Sequence, residues 1–87
     1  MTVFAIVNVG NPLAVEAALV ANFPGDFLQL SPTEWLVAAR GVTAKDVSDK
    51  LGISEGKSNG IVFTTAGYFG RAPNNVWEWI GVKIAQA

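Results

Sequence analysis

Apolar residues in this chain fall in short runs separated by Gly, Pro and Asn, and the period inside each run changes along the chain. Thr2 to Val9 alternates, yet both of its faces are apolar: Val3, Ala5, Val7 and Val9 on one, Phe4 and Ile6 on the other. That pattern predicts a central strand, ended by Gly10. Asn11 suits a helix N-cap and Pro12 the first helical position, so a helix is expected to Asn22. Its stripe is read as Leu13, Ala17 and Val20, flanked by Ala14, Ala18 and Ala21. Phe23-Pro24-Gly25-Asp26 has turn chemistry. Phe27 to Leu30 and Glu34 to Arg40 read as strands joined through Ser31-Pro32-Thr33, a hairpin-length link that keeps the proline out of the ladder. Trp35 to Ala39 is again apolar on both sides, which predicts a second central strand.

Gly41 breaks that strand, and Thr43 followed three positions later by Asp46 resembles a capping box. The helix it opens is expected to run to Leu51, with Val47 and Leu51 facing the core. Lys45 with Asp49 and Asp46 with Lys50 are opposite charges four apart on its outer side. Gly52 fits the residue just past a helix end, with Ile53 packing back. Ser54 to Asn59 is a polar loop. Ile61 to Ala66 reads as a buried strand, Gly67 to Arg71 as a Gly-bracketed turn, and residues 73–85 as a helix opened by Pro73 and carrying Trp77, Trp79 and Ile80.

The predicted order is strand, helix, strand, strand, helix, strand, helix. Its first six elements match a βαββαβ ferredoxin-like α+β unit with an antiparallel sheet in the order 4-1-3-2, and the C-terminal helix is an addition. That order puts the first and third strands in the middle, where the two doubly apolar runs belong. Two helices cover one sheet face. The other face needs the tryptophan helix or a second chain.

At 87 residues this reads as one small domain, residues 1–87, with a correspondingly small core. With 51% of residues apolar and only 15% charged, the surface is sparsely charged, which points to a partner covering apolar area, most simply a second copy. The chain has neither Cys nor His. Thiolate metal sites, Ser-His-Asp and Cys-His catalysis and HExxH zinc chemistry are therefore excluded, leaving carboxylates, Lys, Tyr, hydroxyls or carboxylate-bound Mg²⁺. A net charge of −1, without clustered Lys and Arg, is not a nucleic-acid footprint. No apolar run reaches the ~18–20 residues of a membrane span, and no basic residue precedes the N-terminal apolar run, so a soluble cytoplasmic protein is expected.

The candidate ligand loop is Gly67 to Asn75. Gly67 and Gly70 let backbone approach a ligand, Tyr68 offers a stacking face, and Arg71 with the helix N-terminus at Asn74 and Asn75 suits an anion. The plain alternative is a strand-to-helix turn with Arg71 on the surface. The spacing matches neither a Walker loop nor a dinucleotide fingerprint, and no cofactor is expected. Strand direction would bring Arg40 to the same end as this turn, where it would share a basic patch with Arg71. At the opposite end Asn8, Glu34 and Glu16 would meet. A carboxylate-held Mg²⁺ there is weighed against solvated polar ends, and Asn8 is neutral. No catalytic residue and no metal ligand is assigned. Trp77, Ile80 and Ile84 make one helix stripe, while Trp79 points elsewhere, near Lys83, and is the candidate interface residue.

The opening strand ending Ile6-Val7-Asn8, together with Glu34-Trp35-Leu36-Val37-Ala38 and the Thr43 to Leu51 helix, resembles the small ferredoxin-like proteins related to the smaller CRISPR spacer-acquisition subunit and its toxin-type relatives. The resemblance covers about the first two-thirds of the chain, lies at the level of the fold, and implies a homodimer of prokaryotic or phage type. Some members are credited with metal-dependent nuclease activity through an acidic residue at the end of the first strand. Here that position is Asn8, and the family's extra C-terminal strand is replaced by the tryptophan helix. The expectation is a non-catalytic, homodimeric binding protein with a further protein as partner. The alternative is a nucleotide or nucleic-acid binder, a degenerate nuclease using the Gly67–Asn75 turn.

Overall fold

A computed structural model describes residues 1–86, Ala87 lying outside the described residues. The elements are β1 (Thr2–Asn8), α1 (Pro12–Asn22), β2 (Phe27–Ser31), β3 (Glu34–Ala39), α2 (Ala44–Lys50), β4 (Gly60–Thr64) and α3 (Asn74–Ala85). The fold is α+β: one antiparallel four-stranded sheet in the order β2-β3-β1-β4, which is 4-1-3-2 from the other edge, with three helices. β1 and β3 lie centrally, as their doubly apolar patterns require. Their register sets Ile6 opposite Trp35 and Phe4 opposite Val37 on one face, and Ala5 opposite Leu36 and Val3 opposite Ala38 on the other.

Alternation then sorts the core into two layers. Phe4, Ile6, Trp35 and Val37 meet Val15, Leu19, Phe23, Val47 and Leu51 from the α1 and α2 side. Val3, Leu36 and Ala38 meet Ile80 of α3, with Val76, Trp77 and Trp79 packed around them. The tryptophan helix thus lies over its own sheet, and the backbone oxygen of Gln86 accepts a hydrogen bond from the Met1 amino group.

Local chemistry holds the start of α1 and both ends of α2. Asn11 caps α1 through Leu13 N–H at 3.0 Å. Thr43 and Asp46 form a reciprocal capping box: Asp46 N–H donates to Thr43 Oγ1 at 3.2 Å, and Thr43 N–H donates to Asp46 Oδ2 at 2.8 Å. At the far end of α2, Ile53 N–H reaches Ser48 O and Gly52 N–H reaches Asp49 O, a Schellman closure around Gly52 at φ +76°. Lys45 pairs with Asp49 at 3.0 Å. The expected Asp46–Lys50 pair does not form, because the Asp46 carboxylate is turned back onto the cap.

Three sequence expectations need correcting. The buried stripe of α1 is Val15 and Leu19, continued by Phe23, whereas Leu13, Ala17 and Val20 are exposed. Apolar residues surround this helix, with only Glu16 and Asn22 as polar markers inside it, so the pattern fixes no single face and contact with the sheet decides. The strand read as buried over Ile61 to Ala66 is an edge strand ending at Thr64, whose Ile61 and Phe63 are 53% and 49% exposed. Only Val62, pointing to the α1/α2 side, packs on that core. In α3, Ile80 is buried and Trp77 half-buried, but Ile84, one turn on, is 47% exposed.

Candidate functional site

The chain leaves β4 near Val3, where Thr65 N–H and Oγ1–H both donate to Val3 O, and then reaches back to the start of α3. Residues 66 to 71 of this connection are exposed, and Phe69 is fully so. Tyr68 anchors its middle: its ring stacks on Trp77 with centroids 5.7 Å apart and planes 26° from parallel. Gly70, at φ +154°, holds a backbone conformation that side chains disfavour, while Gly67 has no such constraint and open space around it. Of the two glycines expected to shape the turn, Gly70 is therefore the one its geometry requires.

Between this connection, the first turns of α3 and the sheet lies an open groove of about 580 Å³. Leu30 and Leu36 of the sheet and Ile80 and Trp77 of α3 form its apolar lining, with Gln29 at the β2 edge. Gly67, Tyr68, Gly70, Arg71 and Asn75 all line it, so five of the six candidate residues come together; Asn74 is not in the lining. Leu30, Leu36, Gln29 and Val76 carry no mark in the sequence that singles them out. Alternation along β2 and β3 is the available signal for the leucines, but it does not say that the connection folds back above them.

Arg71 is the groove's one charged residue and makes no ion pair among the described residues. Pro73 occupies the N-cap of α3 with no side-chain cap, so free N–H groups remain at that helix start. The expected basic patch is corrected. Arg71 borders a groove with Gln29 and Leu30, beside the β2–β3 hairpin, whereas Arg40 follows β3 at the other end of the strands and is absent from the lining. Chemically, the groove suits a flat or apolar body with one anionic group.

Trp79 is half-buried against the second core layer. Lys83 Nζ lies 5.9 Å from the centre of its ring and also pairs with Asp26 at 2.8 Å. Much of this tryptophan is thus engaged within its own chain.

Asn8 is 4% exposed and ties the end of β1 to its neighbours. Its Nδ2 donates to Asn59 O and its Oδ1 accepts from Gly10 N–H, both at 2.9 Å. Glu34 accepts from the Ser31 hydroxyl at 2.8 Å, and Glu16 is exposed on α1. Among the described residues no three carboxylates converge as metal ligands, and no helix is long and apolar enough to cross a membrane. Comparison of the chain with protein-family models, with curated protein sequences and with solved structures gave no match.

Proposed function

We propose that this chain is a small non-catalytic interaction protein of ferredoxin-like topology that works as a homodimer. One observation carries the reading: Ile61 and Phe63 stand about half exposed, side by side, on an uncharged edge strand next to the sheet face that α3 only partly covers. Paired large apolar residues on a free edge are what a protein partner would bury. The element order supports the ferredoxin-like assignment, and the prokaryotic or phage setting rests on the resemblance to the small CRISPR-related proteins. Native mass spectrometry of the purified chain is the direct test. A dimer without bound ligand is expected, and a monomer at all micromolar concentrations overturns the reading.

A second reading, a nucleotide or nucleic-acid binder, is favoured by the unpaired Arg71 beside the Tyr68–Trp77 stack in one groove. It expects quenching of tryptophan fluorescence by nucleotides, weakened by salt and by Arg71→Ala. Binding indifferent to both removes it.

A further inference from the structure

The hydrogen-bond parity of β4 determines which of its backbone groups face outward. Val9 N–H donates to Asn59 O and Thr65 N–H to Val3 O, so the odd-numbered residues of β4 are the ones bonded to β1. The N–H and C=O groups of Gly60, Val62 and Thr64 therefore point to the free edge, and no donor or acceptor among the described residues meets them. The strand lacks the usual guards of an exposed edge: it has no proline, no charge and no bulge in its register with β1.

Resting on the homodimer reading, we infer that two copies pair β4 to β4, antiparallel, about a two-fold axis through Val62, making one continuous sheet of eight strands from two sets of four. The outward groups fit this register. Val62 exchanges both bonds with the partner's Val62, and Gly60 exchanges both with the partner's Thr64 at each end, so six hydrogen bonds form in all. Side chains fit it too. Ile61 falls opposite the partner's Phe63, and Phe63 opposite the partner's Ile61, on the face where both are now exposed. The strand is symmetrical in kind about Val62, with large apolar residues at Ile61 and Phe63 and smaller ones at Gly60 and Thr64.

Charge does not oppose a second copy, and the edge's own symmetry favours one. No charged residue stands between Lys57 and Arg71, so like charges do not oppose one another across the axis, and nothing on the edge selects a partner of opposite sign. The other edge fits less well: β2 carries a register irregularity between Gln29 and Ser31 and runs into Pro32.

The chain has no cysteine, which permits a register-specific test. Ile61→Cys and Phe63→Cys proteins are prepared separately and oxidised gently, alone and mixed. In the proposed register the mixed pair is directly opposite at about 4.5 Å between Cα atoms, while like residues sit on the diagonal at about 7–8 Å, beyond disulfide reach. Cross-linked dimer is expected from the mixture and little from either variant alone. Thr64→Pro removes an N–H that has no partner within the protomer, at an exposed residue outside both buried clusters. It is expected to leave the circular dichroism unchanged and to raise the dimer dissociation constant at least about tenfold. A native dimer that cross-links equally well from one variant alone, or whose mixture fails to cross-link, overturns the register and leaves the homodimer reading intact. A wild-type monomer overturns both.

Discussion

On the face that carries α1 and α2, nine side chains from the sheet and its helices are buried together, from Phe4 and Trp35 in the strands to Leu51 beyond α2. On the face that carries α3, the buried set is Val3, Leu36, Ala38 and Ile80, with partly exposed Met1, Ala5, Val76, Trp77 and Trp79 around it. The same central strands supply both layers. The difference lies in what covers them: two helices on one side, and on the other a single helix that leaves Ile61 and Phe63 open at the β4 edge. Stability is thereby concentrated on the closed face. The groove and the apolar edge residues belong to the other.

Truncation on the two sides should therefore give unequal losses. Phe4→Ala removes a fully buried ring from the closed face and is expected to cost about 3–5 kcal/mol, a large share of the roughly 5–15 kcal/mol that holds a domain folded. Urea titration followed by circular dichroism measures it. Ile80→Ala on the α3 face is expected to cost about 2–3 kcal/mol, because part of its surroundings is already open to water. Its signature should be local. Acrylamide should reach Trp77 and Trp79 more readily, while Trp35, buried on the other face, stays protected. Equal losses at both positions, with uniform quenching, would remove the distinction between the faces.

Polar ties on each side come next in size. Lys83 pairs with Asp26 at 2.8 Å and also reaches Gly25 O, fastening α3 to the turn before β2. Asp26→Asn is expected to cost about 0.5–1 kcal/mol, with the loss shrinking in high salt, since Asp26 remains about one-third exposed. On the closed face Thr43→Ala removes the α2 cap at a cost of about 1 kcal/mol or less. Hydrogen bonds from the Thr43 backbone N–H, and then from its hydroxyl, hold the Asp46 carboxyl below its ordinary value of 3.8. A carboxyl lowered by folding stabilises the protein above that value, and the contribution is lost as pH falls through the folded-state value. The melting-temperature gap between wild type and Asp46→Asn should therefore be steady above about pH 5 and close below pH 3.8. A gap that widens in acid would contradict the capping box.

The closed face is legible in the sequence because two independent patterns converge there. Phe4 and Ile6 alternate with small apolar residues, Val47 and Leu51 are four apart, and the Thr43–Asp46 and Gly52 signals bracket α2 correctly. Helix α1 is harder to orient, since Leu13 and Val20 are as apolar as Val15 and Leu19 and only the sheet distinguishes them. β4 departs from expectation because Ile61-Val62-Phe63 is the run a buried strand would carry. The predicted order already set this strand at an edge, but it does not say that α3 leaves the face of Ile61 and Phe63 open. The turn residues of the groove are visible as Gly, Tyr and Arg, but its apolar lining of Leu30 and Leu36 is not. The lining comes together where the connection runs back across the sheet to α3, with Tyr68 stacked on Trp77.

The smallest stability effect expected here accompanies the largest effect on assembly. Phe63→Lys puts a charge on a side chain that is already half exposed and outside both buried clusters. Its cost to the isolated fold should stay within about 0.5 kcal/mol, as for other surface substitutions. In a β4-paired dimer the same lysine faces the partner's Ile61, an edge charge of the kind proteins use to prevent pairing. Urea midpoints measured at a concentration low enough to keep both proteins monomeric should then coincide, while sedimentation of the variant shows monomer where wild type shows dimer. If the variant instead unfolds readily as a monomer, Phe63 belongs to the core of its own chain, and the contrast between a closed and an open face does not extend to β4.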